Sequence, residues 1–142
     1  MKYKIKDTRE FIDKDGLTNY EVTIQAPIGI FSGISVLDKE DEPNKSRFLG
    51  YEIAEKKAVR KMYRKYIANA KIELKVYDDL DDKGYDDEYM YSQIQKLKQK
   101  IRDAECQIQI IELSIYAAIA SNTIINGLGF LKDKKLDKTV KS

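Results

Sequence analysis

From Met90 to Asn126 the apolar positions keep one rhythm. Ile94, Leu97, Ile101, Ala104, Ile108, Ile111, Ile115 and Ala118 follow at alternating steps of three and four, and the same steps then reach Asn122 and Ile125. An unbroken heptad seam of this kind predicts a long helix over 87–127, packed along its length against other helices. At ~1.5 Å per residue it would extend roughly 55 Å. From Ile108 onward Ile110, Leu113, Tyr116, Ala117, Ile119 and Ile124 make further faces apolar, so this end is expected to be buried more deeply than the first half.

A second helical pattern precedes it. Ala54, Ala58, Met62, Tyr66, Ala70 and Leu74 fall four apart, with Val59, Tyr63 and Ile67 alongside. This predicts a helix over 44–78, opened by Asn44 or Ser46 as a cap. Small Ala54 and Ala58 permit a close neighbour. Lys56, Lys57, Arg60, Lys61, Arg64 and Lys65 form a basic stripe on its other faces.

The first 43 residues change period. Tyr20, Val22 and Ile24 alternate with polar residues, which is a strand with one wet face. Tyr3 and Ile5 open an earlier strand, and Asp13-Lys14-Asp15-Gly16 and Pro27-Ile28-Gly29 mark turns. In a third strand Ile30, Ile34 and Val36 share one face, and Phe31, Gly33 and Ser35 the other; Gly33 in mid-strand points to a bulge or a close approach. Leu37–Lys45 reads as an acidic loop. Six aspartates and Gly84 in DDLDDKGYDD (78–87) interrupt the helices, with Asp86, Asp87 and Glu88 in the first turn of the second. Asn126-Gly127 and Gly129 signal its stop, and 128–142 a polar tail.

The expected architecture is α+β, one domain over 1–142: a small N-terminal antiparallel β-sheet followed by a long antiparallel two-helix hairpin. The short link returns the apolar end of the second helix to the start of the first. Basic stripe, seam asparagine and strands then meet at one end, with the acidic tip at the other.

Composition narrows the chemistry. A formal net charge of +2 is too small for a general binder of nucleic-acid polymers. Histidine is absent, which removes the commonest general base and metal ligand. The single Cys106 allows no internal disulfide and fits a reducing cytoplasm. No phosphate loop, nucleophile elbow or metal-ligand spacing occurs, and the aspartate pairs lack the ligand order of a calcium loop. Catalytic residues, metal and cofactor are therefore expected to be none, and the reading is a binding protein rather than an enzyme. MKYKIKDTRE lacks the apolar core of a signal peptide. Leu113–Leu131 is free of charge and followed by lysines, but its serines, asparagines, threonine and glycines make membrane insertion marginal.

Arg60, Arg64, Tyr63, Phe31, Tyr116, Asn122 and Asn126 are the candidate ligand-binding residues. Arginine forks grip phosphates, aromatics stack on bases, and amides bond base or ribose edges. Each has a plainer alternative. The stripe can be a solvated face, Tyr116 a core residue, and Asn122 a device that fixes helix register. The apolar surface from Ile108 to Ile125 calls for a second copy, hence a homodimer or higher homo-oligomer.

The run NYEVTIQAPIGIFSG (19–33), followed by DEPNKSRFLGYEIAEKKA (41–58), resembles the bacteriophage anti-Thoeris sponge proteins of the first described type. The resemblance covers the first half of the chain and the two-helix layout. It implies a homo-oligomer in the host bacterial cytoplasm that sequesters the cyclic ADP-ribose isomer made by TIR-domain enzymes, without cleaving it. Some proteins of this kind also hold cyclic oligonucleotides at a second site. Their pocket combines arginines, aromatics and an asparagine from two protomers, with which Arg60 and Asn122 are compatible. No arginine follows Arg102, so any arginine expected near the C-terminus is missing or replaced by lysine. Two other functions compete: an anti-CRISPR-like inhibitor that binds a host protein, and a tail-anchored phage membrane protein.

Overall fold

A computed structural model describes residues 1–36, 47–84 and 87–141, with side chains described as far as Ser121. Three strands come first, β1 (Lys4–Ile12), β2 (Thr18–Ala26) and β3 (Gly29–Val36), then two helices, α1 (Arg47–Asp82) and α2 (Glu88–Lys141). The sheet is antiparallel in the order β1-β2-β3, and the helices form the expected hairpin. The acidic loop and the caps Asn44 and Ser46 lie outside the described residues.

The two hairpin turns follow their residues. Gly16 takes φ +79°, and its amide donates to the Asp13 carbonyl at 3.0 Å. The Asp13 carboxylate accepts from the amides of Asp15 and Leu17 at 2.9 and 3.0 Å. A register shift between Ile5 and Asp7 sets a bulge in β1.

Alternation in β2 aims Tyr20, Val22 and Ile24 at α1, and all three are buried. In β3 their partners are Ser35, Gly33 and Phe31. So the face with small residues packs on the helix, while Ile30, Ile34 and Val36 point outward and stay exposed. The reason is steric. A Cβ on Gly33 would lie 2.5 Å from the Ala58 amide nitrogen and collide with the Ala54 carbonyl oxygen. Strand and helix therefore touch backbone to backbone, using the small alanines on one side and a glycine on the other.

Val22, Ile24, Ala54, Ala58 and Met62 form the core between sheet and helix. A second cluster, Ile67, Ala70, Leu97, Ile101 and Ala104, joins the helices. The heptad seam of α2 is thus the face that meets α1.

Both helix boundaries differ from expectation. α1 continues through Asp79–Asp82, because water screens exposed aspartates and no breaker precedes Gly84. That glycine, at φ +90°, ends the helix, its amide donating to the Asp81 carbonyl at 2.9 Å. Asp87 stands just outside α2 and caps it, accepting from the Met90 amide at 2.6 Å. The backbone of α2 is helical to Lys141, past the stop expected at Asn126-Gly127 and through the tail; an interior glycine costs a helix only about 1 kcal/mol.

Candidate functional site

On α1, Lys57, Arg60 and Arg64 recur at i, i+3 and i+7, so they share one flank. The antiparallel hairpin sets Glu112 of α2 opposite them. One oxygen, Glu112 Oε1, lies 3.9 Å from Arg60 Nη1 and 3.5 Å from Arg64 Nη2. Both separations exceed hydrogen-bonding distance. Arg60 Nε is buried and has no hydrogen-bond partner among the described residues. The Lys57 ammonium donates to the Ile34 carbonyl at 3.1 Å. Burial, and secondarily the Arg60 charge, push its pKa below the ordinary lysine value. Two guanidinium groups thus face a single, loosely held carboxylate, with the Lys57 ammonium turned to the sheet.

One turn beyond Glu112, Tyr116 stands 74% exposed, so it is available to a partner and is not a core residue. Gln109, Glu112, Leu113 and Tyr116 line a shallow cleft of about 430 Å³. Arg60 and Arg64 are therefore brought together at Glu112, and Tyr116 shares a cleft with that carboxylate. Glu112 is missing from the sequence-based candidates, although it is the one charged residue between Glu105 and Lys132, a signal that could have found it.

The other candidates go elsewhere. Tyr63 borders a different cleft, of about 420 Å³, with Met1, Tyr66, Lys100, Asp103, Ala104 and Gln107. Phe31 packs half-buried against the core between sheet and α1, because it shares the face of Gly33. The side chains of Asn122 and Asn126 lie outside the described residues. At the opposite edge of α1, the Tyr3 hydroxyl donates to Glu55 Oε2 at 2.8 Å. Its pKa is pushed up to about 12, first by burial and then by the Glu55 carboxylate.

Beside the arginine flank the second half of α2 carries Ile110, Leu113, Tyr116 and Ile119 on the surface. The deeper burial expected of this end is not met within one chain, since α1 covers only the seam. Cys106 is exposed. Among the described residues no helix is long and apolar enough to cross a membrane, and no acidic or cysteine cluster is suited to a metal ion. Comparison with protein-family models, curated proteins and solved structures returned no match.

Proposed function

We propose that this chain is a phage counter-defence protein that binds and sequesters a TIR-generated cyclic ADP-ribose signal without cleaving it. The observation that carries the reading is the arginine pair: Arg60 and Arg64 share one distant carboxylate, and the buried Arg60 Nε lacks a partner. Guanidinium forks in this state have donors to spare for the oxygens of a pyrophosphate. Tyr116 offers an aromatic face nearby, on the opposite side of Glu112 along the hairpin. The likeness of residues 19–33 and 41–58 to the sponge proteins gives the phosphate ligand its identity. Retention without cleavage suits a flank built from cations, one carboxylate and a tyrosine, in a chain with no histidine.

The same reading makes the protein a homo-oligomer. Ile110, Leu113 and Tyr116 expose more apolar surface than a solitary helix face leaves wet, and a second copy would cover it beside the arginines. That surface also favours the second reading, an inhibitor that docks on a host protein. The experiment separates them. Purified protein is incubated with the products of an activated TIR-domain enzyme, washed and heat-denatured, and the released molecule is identified by mass spectrometry. Recovery of an intact cyclic ADP-ribose isomer, lost in Arg60→Ala, is the expected result. A cleaved product would mean an active site, and an empty but folded protein with a co-purifying host partner would favour the inhibitor.

A further inference from the structure

Glu112 is the anion paired with both Arg60 and Arg64, yet its geometry is poor for a structural ion pair. It splits a single oxygen between two guanidinium groups, at 3.9 and 3.5 Å, and hydrogen-bonds to neither. Its side chain is 47% exposed, whereas that of Arg60 is 25% exposed. Arg60 is thus held in the wall of the hairpin, while Glu112 and the still more exposed Arg64 are the movable partners. Behind Glu112 the cleft along Gln109, Leu113 and Tyr116 leaves room for it to swing aside. A carboxylate seated between two guanidinium groups occupies the place a phosphate would take, with two oxygens where a phosphate has three or four.

We propose that Glu112 is an internal competitor: in the free protein it holds the Arg60–Arg64 site, and a ligand's pyrophosphate must displace it to bind. This deepens the arginine-site reading and rests on it. The arrangement sets a threshold. Singly charged anions gain too little over Glu112 to replace it, while a ligand with two adjacent phosphates offers enough oxygens to satisfy both forks. Glu112 thereby selects for pyrophosphate-bearing ligands and keeps the cations from repelling one another when the site is empty.

The test is calorimetric titration of the full chain with inorganic pyrophosphate and with ADP-ribose at low salt, comparing the unaltered protein, Glu112→Gln and Arg60→Ala. Melting curves with and without pyrophosphate check that each variant is folded. Removing a partly exposed ion pair that ligand must break should tighten binding about fivefold in Glu112→Gln, and pyrophosphate should raise its melting temperature more than that of the unaltered protein. Arg60→Ala should bind neither probe. Equal or weaker binding by Glu112→Gln, with binding still lost in Arg60→Ala, would overturn the competitor role and leave the arginine site standing. Binding indifferent to Arg60→Ala, or no binding by any of the three, would overturn the arginine site and the competitor with it.

Discussion

Helix α1 meets its two neighbours in opposite ways. Against the sheet it comes so close that backbone touches backbone, with Gly33 lying on Ala54 and Ala58 and no room for a methyl group. Against the middle of α2 only the seam is covered, Ile115 being buried there. Beside the seam, charged side chains pair at 3.5 and 3.9 Å, and Ile110, Leu113 and Tyr116 remain outside. A junction without slack has one structure and serves stability. A junction with loose ion pairs and uncovered apolar surface is where a binding protein can accept something else. Tyr20 shows the tight side again: its ring is fully buried, edge-on to Tyr51 at 5.0 Å, and a Cβ on Gly50 would strike it.

The largest effect should come from adding one methyl group on the tight side. Gly33→Ala sets a Cβ against helix backbone, which cannot rotate away, so either β3 or α1 must shift. A loss of about 3 kcal/mol or more is expected in urea unfolding. A loss under about 1 kcal/mol would show that the sheet rides on the helix more loosely than its contacts imply.

The loose side should respond in binding and not in stability. Arg60→Ala should weaken the cyclic ADP-ribose complex by at least about tenfold, the scale of a lost charged hydrogen bond, while barely moving the melting temperature. If the melting temperature instead falls as far as in Gly33→Ala, the Arg60–Glu112 contact belongs to the fold and the contrast collapses. Leu113→Ser is the milder companion. In dilute protein its stability should change by no more than about 0.5 kcal/mol, whereas sedimentation should show a smaller assembly. An unchanged assembly would remove this face from the homo-oligomer contact.

What was legible in the sequence divides along the same line. The seam from Ile94 to Ala118 is the face that meets α1, because a heptad repeat constrains a helix wherever its partner is another helix. Gly33 and the small Ala54 and Ala58 announced a close approach, because few other residues tolerate one. The facing of β3 was not legible. Ile30, Ile34 and Val36 look like the buried face of a strand, and only the helix backbone over Gly33 decides that they point outward. Part of the candidate site was also hidden. Arg60 and Arg64 meet at Glu112, but Tyr63, only three residues from Arg60, borders another cleft. Glu112 stands out as the one charge between Glu105 and Lys132, yet which cations it meets across the hairpin depends on helix rotation and axial offset, which a lone charge does not encode.

The smallest predicted effect tests a contact that belongs to neither side of the contrast. Tyr3 ties the start of β1 to α1 through Glu55, and its pKa is raised from 10.0 to about 12. In the folded chain the phenol keeps its proton through that interval, while in the unfolded chain it ionises at the lower value. The folded state then binds more protons than the unfolded state, so the contribution of Tyr3 is fully present below pH 10 and is lost as pH rises towards 12. Tyr3 is partly exposed, which keeps the effect modest. Thermal melts across this alkaline range should therefore fall slightly more steeply for the unaltered protein than for Tyr3→Phe, which has no phenol to titrate. Parallel curves would mean that the strand end moves freely from Glu55 and adds nothing to the tight junction it borders.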